Sequence, residues 1–177
     1  TRNDKEDDKA VRLTSTPARD MNPVWLSDEV LLFISDKEGQ NDLYLMRSTD
    51  NQEKDLFFSF KREVKRLTNT EEEESNPVVS PDRTKVAIQQ GRGKLLVYSI
   101  SASGNLSNEK VLLDGWDAGS GLSWSPDSKW LAYSKSDLNF NEEIFIHAAD
   151  NSREPVNVSM HPRGDYNPVW SKDGSKL

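Results

Sequence analysis

The sequence predicts an all-β fold, a partial β-propeller of about three complete four-stranded blades plus flanking strands, and three observations predict it. First, a strand–turn–strand phrase occurs four times. Asn22-Pro23-Val24-Trp25-Leu26-Ser27-Asp28 runs into residues 30–34, and Asn76-Pro77-Val78-Val79-Ser80-Pro81-Asp82 runs into residues 85–88. Leu122-Ser123-Trp124-Ser125-Pro126-Asp127 runs into residues 130–134, and Asn167-Pro168-Val169-Trp170-Ser171-Lys172-Asp173-Gly174 into Lys176 and Leu177. Second, the spacing is regular: 45 positions separate Val79 from Trp124, 46 separate Trp124 from Trp170, and 54 separate Trp25 from Val79. Third, side chains alternate, as Trp130, Ala132 and Ser134 do with Leu131, Tyr133 and Lys135, instead of recurring every three or four positions. A repeat of roughly 40–50 residues with four strand-like runs has the period of a propeller blade, and the longer first interval is one period plus an insert.

The elements follow in order. Residues 1–9 are polar and charged without periodicity and read as a disordered lead-in; residues 10–177 are the propeller segment. Ala10-Val11-Arg12-Leu13-Thr14 alternates and reads as the outer strand of a preceding blade. Complete blades are expected at about 22–68, 76–114 and 121–159, and a further blade starts at 167–177. Inner strands are expected near 22–27, 76–80, 121–125 and 167–171, with Trp25, Trp124 and Trp170 buried between neighbouring blades. Pro81 and Pro126 pre-set φ for the first corner of each turn, where Asp82 and Asp127 bond their own backbone. Third strands fall at 42–47, 94–100 and 143–148, after turn-rich links in which Gly39, Gly91 and Gly93 supply positive φ. Outer strands fall at 64–68, 110–114 and 155–159. A second strand broken off at Leu177 leaves an unpaired edge, and a closed propeller needs at least four blades, so a piece of a longer polypeptide is expected.

The first blade carries an insert, residues 48–63, with Leu56-Phe57-Phe58-Ser59-Phe60 at its centre. It reads as a rim element folded onto its own blade, or as an exposed apolar patch that docks another domain. Glu71 to Glu74 is an acidic run that reads as a solvated loop tip.

Composition narrows the function. The net charge is −7, which disfavours a phosphate-backbone partner, so no nucleic acid is expected. No apolar run approaches the roughly 20 residues of a membrane helix, so no membrane insertion is expected. Without cysteine there is no disulfide framework and no thiolate metal site.

Catalytic chemistry is not legible. Of the two histidines, His147 lies in a third strand and His161 in a loop between blades. A nucleophilic triad would need a serine on a strained turn, and Ala118-Gly119-Ser120-Gly121 lacks the first glycine of that elbow. Asp137-Leu138-Asn139-Phe140-Asn141-Glu142-Glu143 alternates acids and amides as calcium loops do, yet Glu142 and Ala148 stand where an EF-hand needs Gly and Glu. Gly91-Arg92-Gly93 reads as a two-strand turn, since no helix follows it to bind an anion. No catalytic residue, no metal site and no cofactor is expected.

The blade phrase resembles the TolB-like propeller repeat, a Trp-Ser-Pro-Asp-Gly turn followed by a Lys-Leu-Ala-Tyr strand. Trp124 to Tyr133 and Trp170 to Leu177 match it, while Trp25 to Ile34 replaces the turn with Leu26-Ser27-Asp28-Glu29. Asp114-Gly115-Trp116-Asp117, Lys135-Ser136-Asp137 and Asn157-Val158-Ser159-Met160-His161-Pro162 are similar to the propeller part of bacterial tricorn-type serine peptidases. The resemblance covers residues 10–177. It implies a non-catalytic propeller that guides peptides toward a PDZ domain and a protease core, in a periplasmic or cytoplasmic bacterial protein. It leaves two alternatives open: a TolB-like scaffold that binds protein partners, and a propeller capping another hydrolase. The implied partners are peptides or a protein partner, together with further blades and a protease core of the same polypeptide.

In a propeller, loops between outer and next inner strands share one end with loops between second and third strands. That end collects Asp20, Met21 and Asn22, Asp36 and Lys37, Arg92, Trp116 and Asp117, Asp137, Asn139 and Phe140, and His161, Arg163, Asp165 and Tyr166. Trp116, Phe140, Arg163 and Tyr166 are the candidate peptide- or partner-binding residues, because exposed aromatics and arginine anchor partners at low entropic cost. Trp116 and Tyr166 have a second reading, as plugs between blades.

Overall fold

The computed structural model describes residues 11–160 and 162–177; the expected lead-in 1–9, Ala10 and His161 lie outside the described residues. Among the described residues, twelve strands form three antiparallel sheets of four. The first holds β1 (Asp20–Ser27), β2 (Val30–Ser35), β3 (Asp42–Ser48) and β4 (Arg62–Arg66). The second holds β5 (Glu74–Val79), β6 (Lys85–Gln90), β7 (Lys94–Ile100) and β8 (Leu106–Asp114). The third holds β9 (Ser120–Trp124), β10 (Trp130–Ser136), β11 (Glu142–Ala148) and β12 (Val156–Asn157). Strands pair in chain order within each sheet. β1 lies beside β5, and β5 beside β9, so the first strands are the inner ones of a radial array. The fold is all-β, a partial propeller.

The core lies between sheets. Leu32, Ile34, Leu43 and Leu45 of the first sheet meet Val86, Ile88, Leu96 and Tyr98 of the second. Ala87, Leu95 and Val97 on the other face of the second sheet meet Trp124, Leu131 and Tyr133 of the third. Because the middle strands are covered on both faces, a run such as Val30-Leu31-Leu32-Phe33-Ile34 is buried at every position and needs no polar alternation.

Two local devices repeat. Each inner strand bends at one left-handed residue: Asn22 (φ 50°), Asn76 (φ 50°) and Gly121 (φ 60°), and Asn167 (φ 53°) stands at the same point of the fourth phrase. The pairing register slips there, between Met21 and Val24 and between Ser75 and Val78, which marks a bulge. Glycine and asparagine are the residues that adopt this conformation at little cost. The Asn22 amide donates to Asn76 Oδ1 at 3.3 Å, Asn76 donates to Gln89, and Gln89 donates to the Gly119 carbonyl, linking the blades along their inner edge.

The second device is the turn after the inner strand. Ser80 Oγ donates to Asp82 Oδ1 at 2.6 Å and accepts from the Lys85 amide at 3.0 Å. Ser125 does the same with Asp127 and the Trp130 amide, and Ser171 with Asp173 and the Lys176 amide. The turn is therefore braced by its own serine and aspartate. Burial works against the Asp82 carboxylate, but donation from Ser80 and from the Thr84 amide and hydroxyl brings its pKa down to about 2. The hydroxyl of Ser171 and the amide of Ser175 hold Asp173 at about 2 as well.

Several expectations are corrected. Trp124 is buried, and its Nε1 donates to the Val78 carbonyl of the preceding sheet at 2.9 Å. Trp25 is instead 42 % exposed. It pairs with Leu31 as Trp124 does with Leu131, so it faces the side where a preceding blade would pack. Among the described residues that side holds the insert, whose Phe57 ring lies 6.1 Å from Trp25. Leu26, which stands between Trp25 and Ser27 where the register slips, is buried against the second sheet, on the side opposite the tryptophan. Trp170 is half-buried, and its Nε1 finds no acceptor.

Residues 167–171 keep the bend and the braced turn but form no strand, because no second strand pairs with them. Residues 11–14 form no strand either; Leu13 packs on the Leu31, Phe33, Tyr44, Met46 and Leu56 cluster. Leu56 of the insert is fully buried there, whereas Phe58 and Phe60 are exposed. Glu74 is no loop residue: it opens β5 and is buried, accepting from the Leu43 amide at 3.1 Å and from Thr68 and Thr70.

Candidate docking surface

The loops at one end of the propeller are stitched together. The Glu74 amide donates to the Asn41 carbonyl at 2.8 Å, joining the link after β2 to the loop before β5. The Gly91 amide donates to the Glu73 carbonyl at 2.8 Å, and the Ala118 amide to the Arg92 carbonyl at 2.9 Å. Asp117 Oδ2 accepts from the Ser136 amide at 3.0 Å, while its Oδ1 accepts from the Gly119 amide at 2.9 Å. Ser136 Oγ donates to Glu142 Oε1 at 2.7 Å, and the Asp165 amide donates to the Glu142 carbonyl at 2.8 Å. The loops predicted to share an end do share it.

On this base stand Trp116 and Phe140. Their ring centroids are 6.0 Å apart at 53°, a tilted aromatic contact, and the side chains are 59 % and 81 % exposed. Phe140 has φ 62°, a conformation that costs a side chain with a Cβ roughly 1–2 kcal/mol. The Asp137 carboxylate enforces it: Oδ1 accepts from the Asn139 amide at 2.7 Å and the Asn141 amide at 2.9 Å. Those donors also hold Asp137 below the usual carboxylate range, the Asn141 amide most of all.

Tyr166 and Arg163 sit in the next loop, and both are exposed. Tyr166 lines a different feature from the Trp116–Phe140 pair, an open groove of about 560 Å³ on the outward flank of the third sheet, with Ile144, Ile146, Val158 and Trp170. Sequence reasoning missed that groove, because its apolar floor belongs to strands that read as ordinary core. Its one signal is the alternation of Ile144 and Ile146 on a strand whose outward neighbour is an incomplete blade.

His147 is buried, contacting the Tyr133 hydroxyl at 3.5 Å and Asn151 Oδ1 at 3.1 Å, and burial lowers its pKa. The Asn151 side chain, the Glu154 carboxylate and the Arg153 backbone act against that shift. No cluster of three or more metal-ligating side chains occurs among the described residues.

The fold and this end of it define a partial β-propeller. No family model and no curated protein sequence matches the chain. Solved structures do. TolB from Acinetobacter baumannii superposes with a TM-score of 0.57 at 20 % identity, over 80 % of this chain and 32 % of that one. A putative TolB from Agrobacterium tumefaciens gives 0.59 at 18 % identity, over 92 % of this chain and 53 % of the other. The tricorn protease gives 0.65 at 13 % identity, over 90 % of this chain and 15 % of that one. The chain thus spans about a third of the first TolB and about a sixth of the tricorn protease.

Proposed function

We propose that this propeller segment is the non-catalytic domain of a tricorn-like serine peptidase, and that it guides peptides or docks a partner domain at its loop end. The observation that carries the reading is the Trp116–Phe140 pair, two large aromatics held in solvent by loops that are otherwise rigidly bonded to one another. Exposed aromatics on a preorganised base are how a rigid surface captures an extended chain without ordering itself. The loop phrases at Asp114–Asp117, Lys135–Asp137 and Asn157–Pro162, similar to tricorn-type propellers, support the peptidase context. A second reading, a TolB-like interaction scaffold, uses the same surface for a folded protein partner.

The test is alanine replacement of Trp116, Arg163 and Tyr166 in the complete parent protein. Peptide turnover or partner capture is expected to fall several-fold while the fold, read by circular dichroism, is unchanged. Activity within about twofold of wild type would remove this end from consideration. The isolated chain is expected to cleave no unstructured peptide and to take up no serine-directed phosphonate; stoichiometric labelling of any serine would overturn the non-catalytic assignment.

A further inference from the structure

Among the described residues, acidic and basic side chains come close to balance at the turn end of the molecule. At the turn end each bracing aspartate is followed by a base: Asp82 by Arg83 and Lys85, Asp127 by Lys129, and Asp173 by Lys176. At the loop end the excess is acidic. Glu71, Glu72 and Glu73 are exposed in the loop before β5, and Asp117, Asp137 and Asp165 belong to the stitched loops that carry the aromatic pair. Lys37, Arg92, Lys94, Lys135 and Arg163 lie at the same end, Lys94 pairing with Glu72 at 3.5 Å, and they reduce the acidic excess without cancelling it.

Strain points to the same place. Phe140 holds a left-handed backbone that an asparagine or glycine would hold at less cost, and its ring obtains little burial in return. Within this chain its ring packs on Trp116 and stays 81 % exposed. A ring kept in solvent beside an indole, on loops that also carry Asp117, Asp137 and Asp165, has the chemistry to receive an apolar side chain flanked by cations.

We infer that the occupant of the Trp116–Phe140 surface is an extended protein segment in which an aromatic or large aliphatic residue is flanked by lysine or arginine. This rests on the docking reading above and adds the partner's chemistry to it. The apolar residue packs on the two rings, its cationic neighbours face Asp117, Asp137 and Asp165, and the wider acidic field draws basic chains to this end. The same field repels an anionic lipid surface.

The experiment uses the full chain and three short fluorescein-labelled peptides with a shared Leu-Phe-Leu centre, flanked by lysine, serine or glutamate, with fluorescence anisotropy as readout. The lysine-flanked peptide is expected to bind about tenfold tighter than the glutamate-flanked one and to weaken as sodium chloride rises. Phe140→Gly is expected to lose most of this binding while raising the denaturation midpoint, because glycine relieves the backbone at that position. If all three peptides bind equally and Phe140→Gly releases them, the charge assignment fails and the docking surface stands. If the lysine peptide binds wild type and Phe140→Gly equally, or no peptide binds, the docking surface itself is refuted.

Discussion

Single residues carry distinct loads even where the repeat gives them the same address. Trp124 and Trp25 occupy one position of the blade phrase, yet only Trp124 is enclosed and bonded to a neighbouring sheet. Trp124→Ala is expected to cost on the order of 3–5 kcal/mol, as large-to-small core changes do. Trp25→Ala should cost about 1 kcal/mol, since roughly half of its surface already meets water. Urea denaturation of both variants checks the pair, and equal losses would refute the packing described. Arg83 is a second residue-scale case. It holds φ 61° where the third turn has Gly174, and its ion pair with Asp28 at 3.7 Å is exposed on both sides. Arg83→Gly is expected to stabilise the chain by about 0.5–1 kcal/mol, read as a rise in the denaturation midpoint.

At the scale of the element, two kinds of carboxylate give stability opposite dependences on pH. Asp82 titrates near 2 in the folded turn against an ordinary value of 3.8, so its contribution is complete above 3.8 and is lost as pH falls toward 2. Glu74 is pushed up from 4.5 by burial, against the hydroxyl of Thr68 and the amide of Leu43. Its contribution is complete below about 4.5 and is lost as pH rises through its folded pKa. Asp82→Asn should flatten the acid limb of a Tm–pH profile and Glu74→Gln the limb above it; unchanged profiles would show that neither group is linked to folding.

The two groups also show what a sequence discloses. The braced turn was readable, because Ser-Pro-Asp is a local event whose cause and effect lie within six residues. Glu74 was not, because its burial is decided by β3 and by Thr68, and a run of four acids looks alike whether its last member points out or in. The candidate surface divides the same way. The loop end was readable from blade geometry, whereas the pairing of Trp116 with Phe140, and the placement of Tyr166 on a separate groove, depend on loop conformations that no periodicity encodes.

Over the whole molecule, the three sheets are unequally enclosed. Among the described residues, the second has a sheet on each side, the first is covered outwardly by Leu13 and Leu56, and the third by the phrase at 167–177. Local opening costs least where apolar enclosure is least. Amide hydrogen exchange should therefore be slowest in β6 and β7 and faster in β11 and β12. Protection of β11 equal to that of β6 would refute an open third flank. The outward faces also bear on the insert, which places Leu56 against Leu31, Phe33, Tyr44 and Met46 of the first sheet.

The bend in the inner strands reaches into the slow chemistry of ageing. Asparagine degrades mainly when the backbone nitrogen of the next residue attacks its side-chain amide, a step that needs an N–H. Asn22, Asn76 and Asn167 are each followed by proline, which has none, and at the third bend Gly121 has no side-chain amide to lose. The residues that link the blades at the axis are thus shielded from deamidation by the neighbour that also shapes the strand. After prolonged incubation at alkaline pH, peptide mapping should find these three asparagines intact while Asn151, exposed and followed by Ser152, is converted.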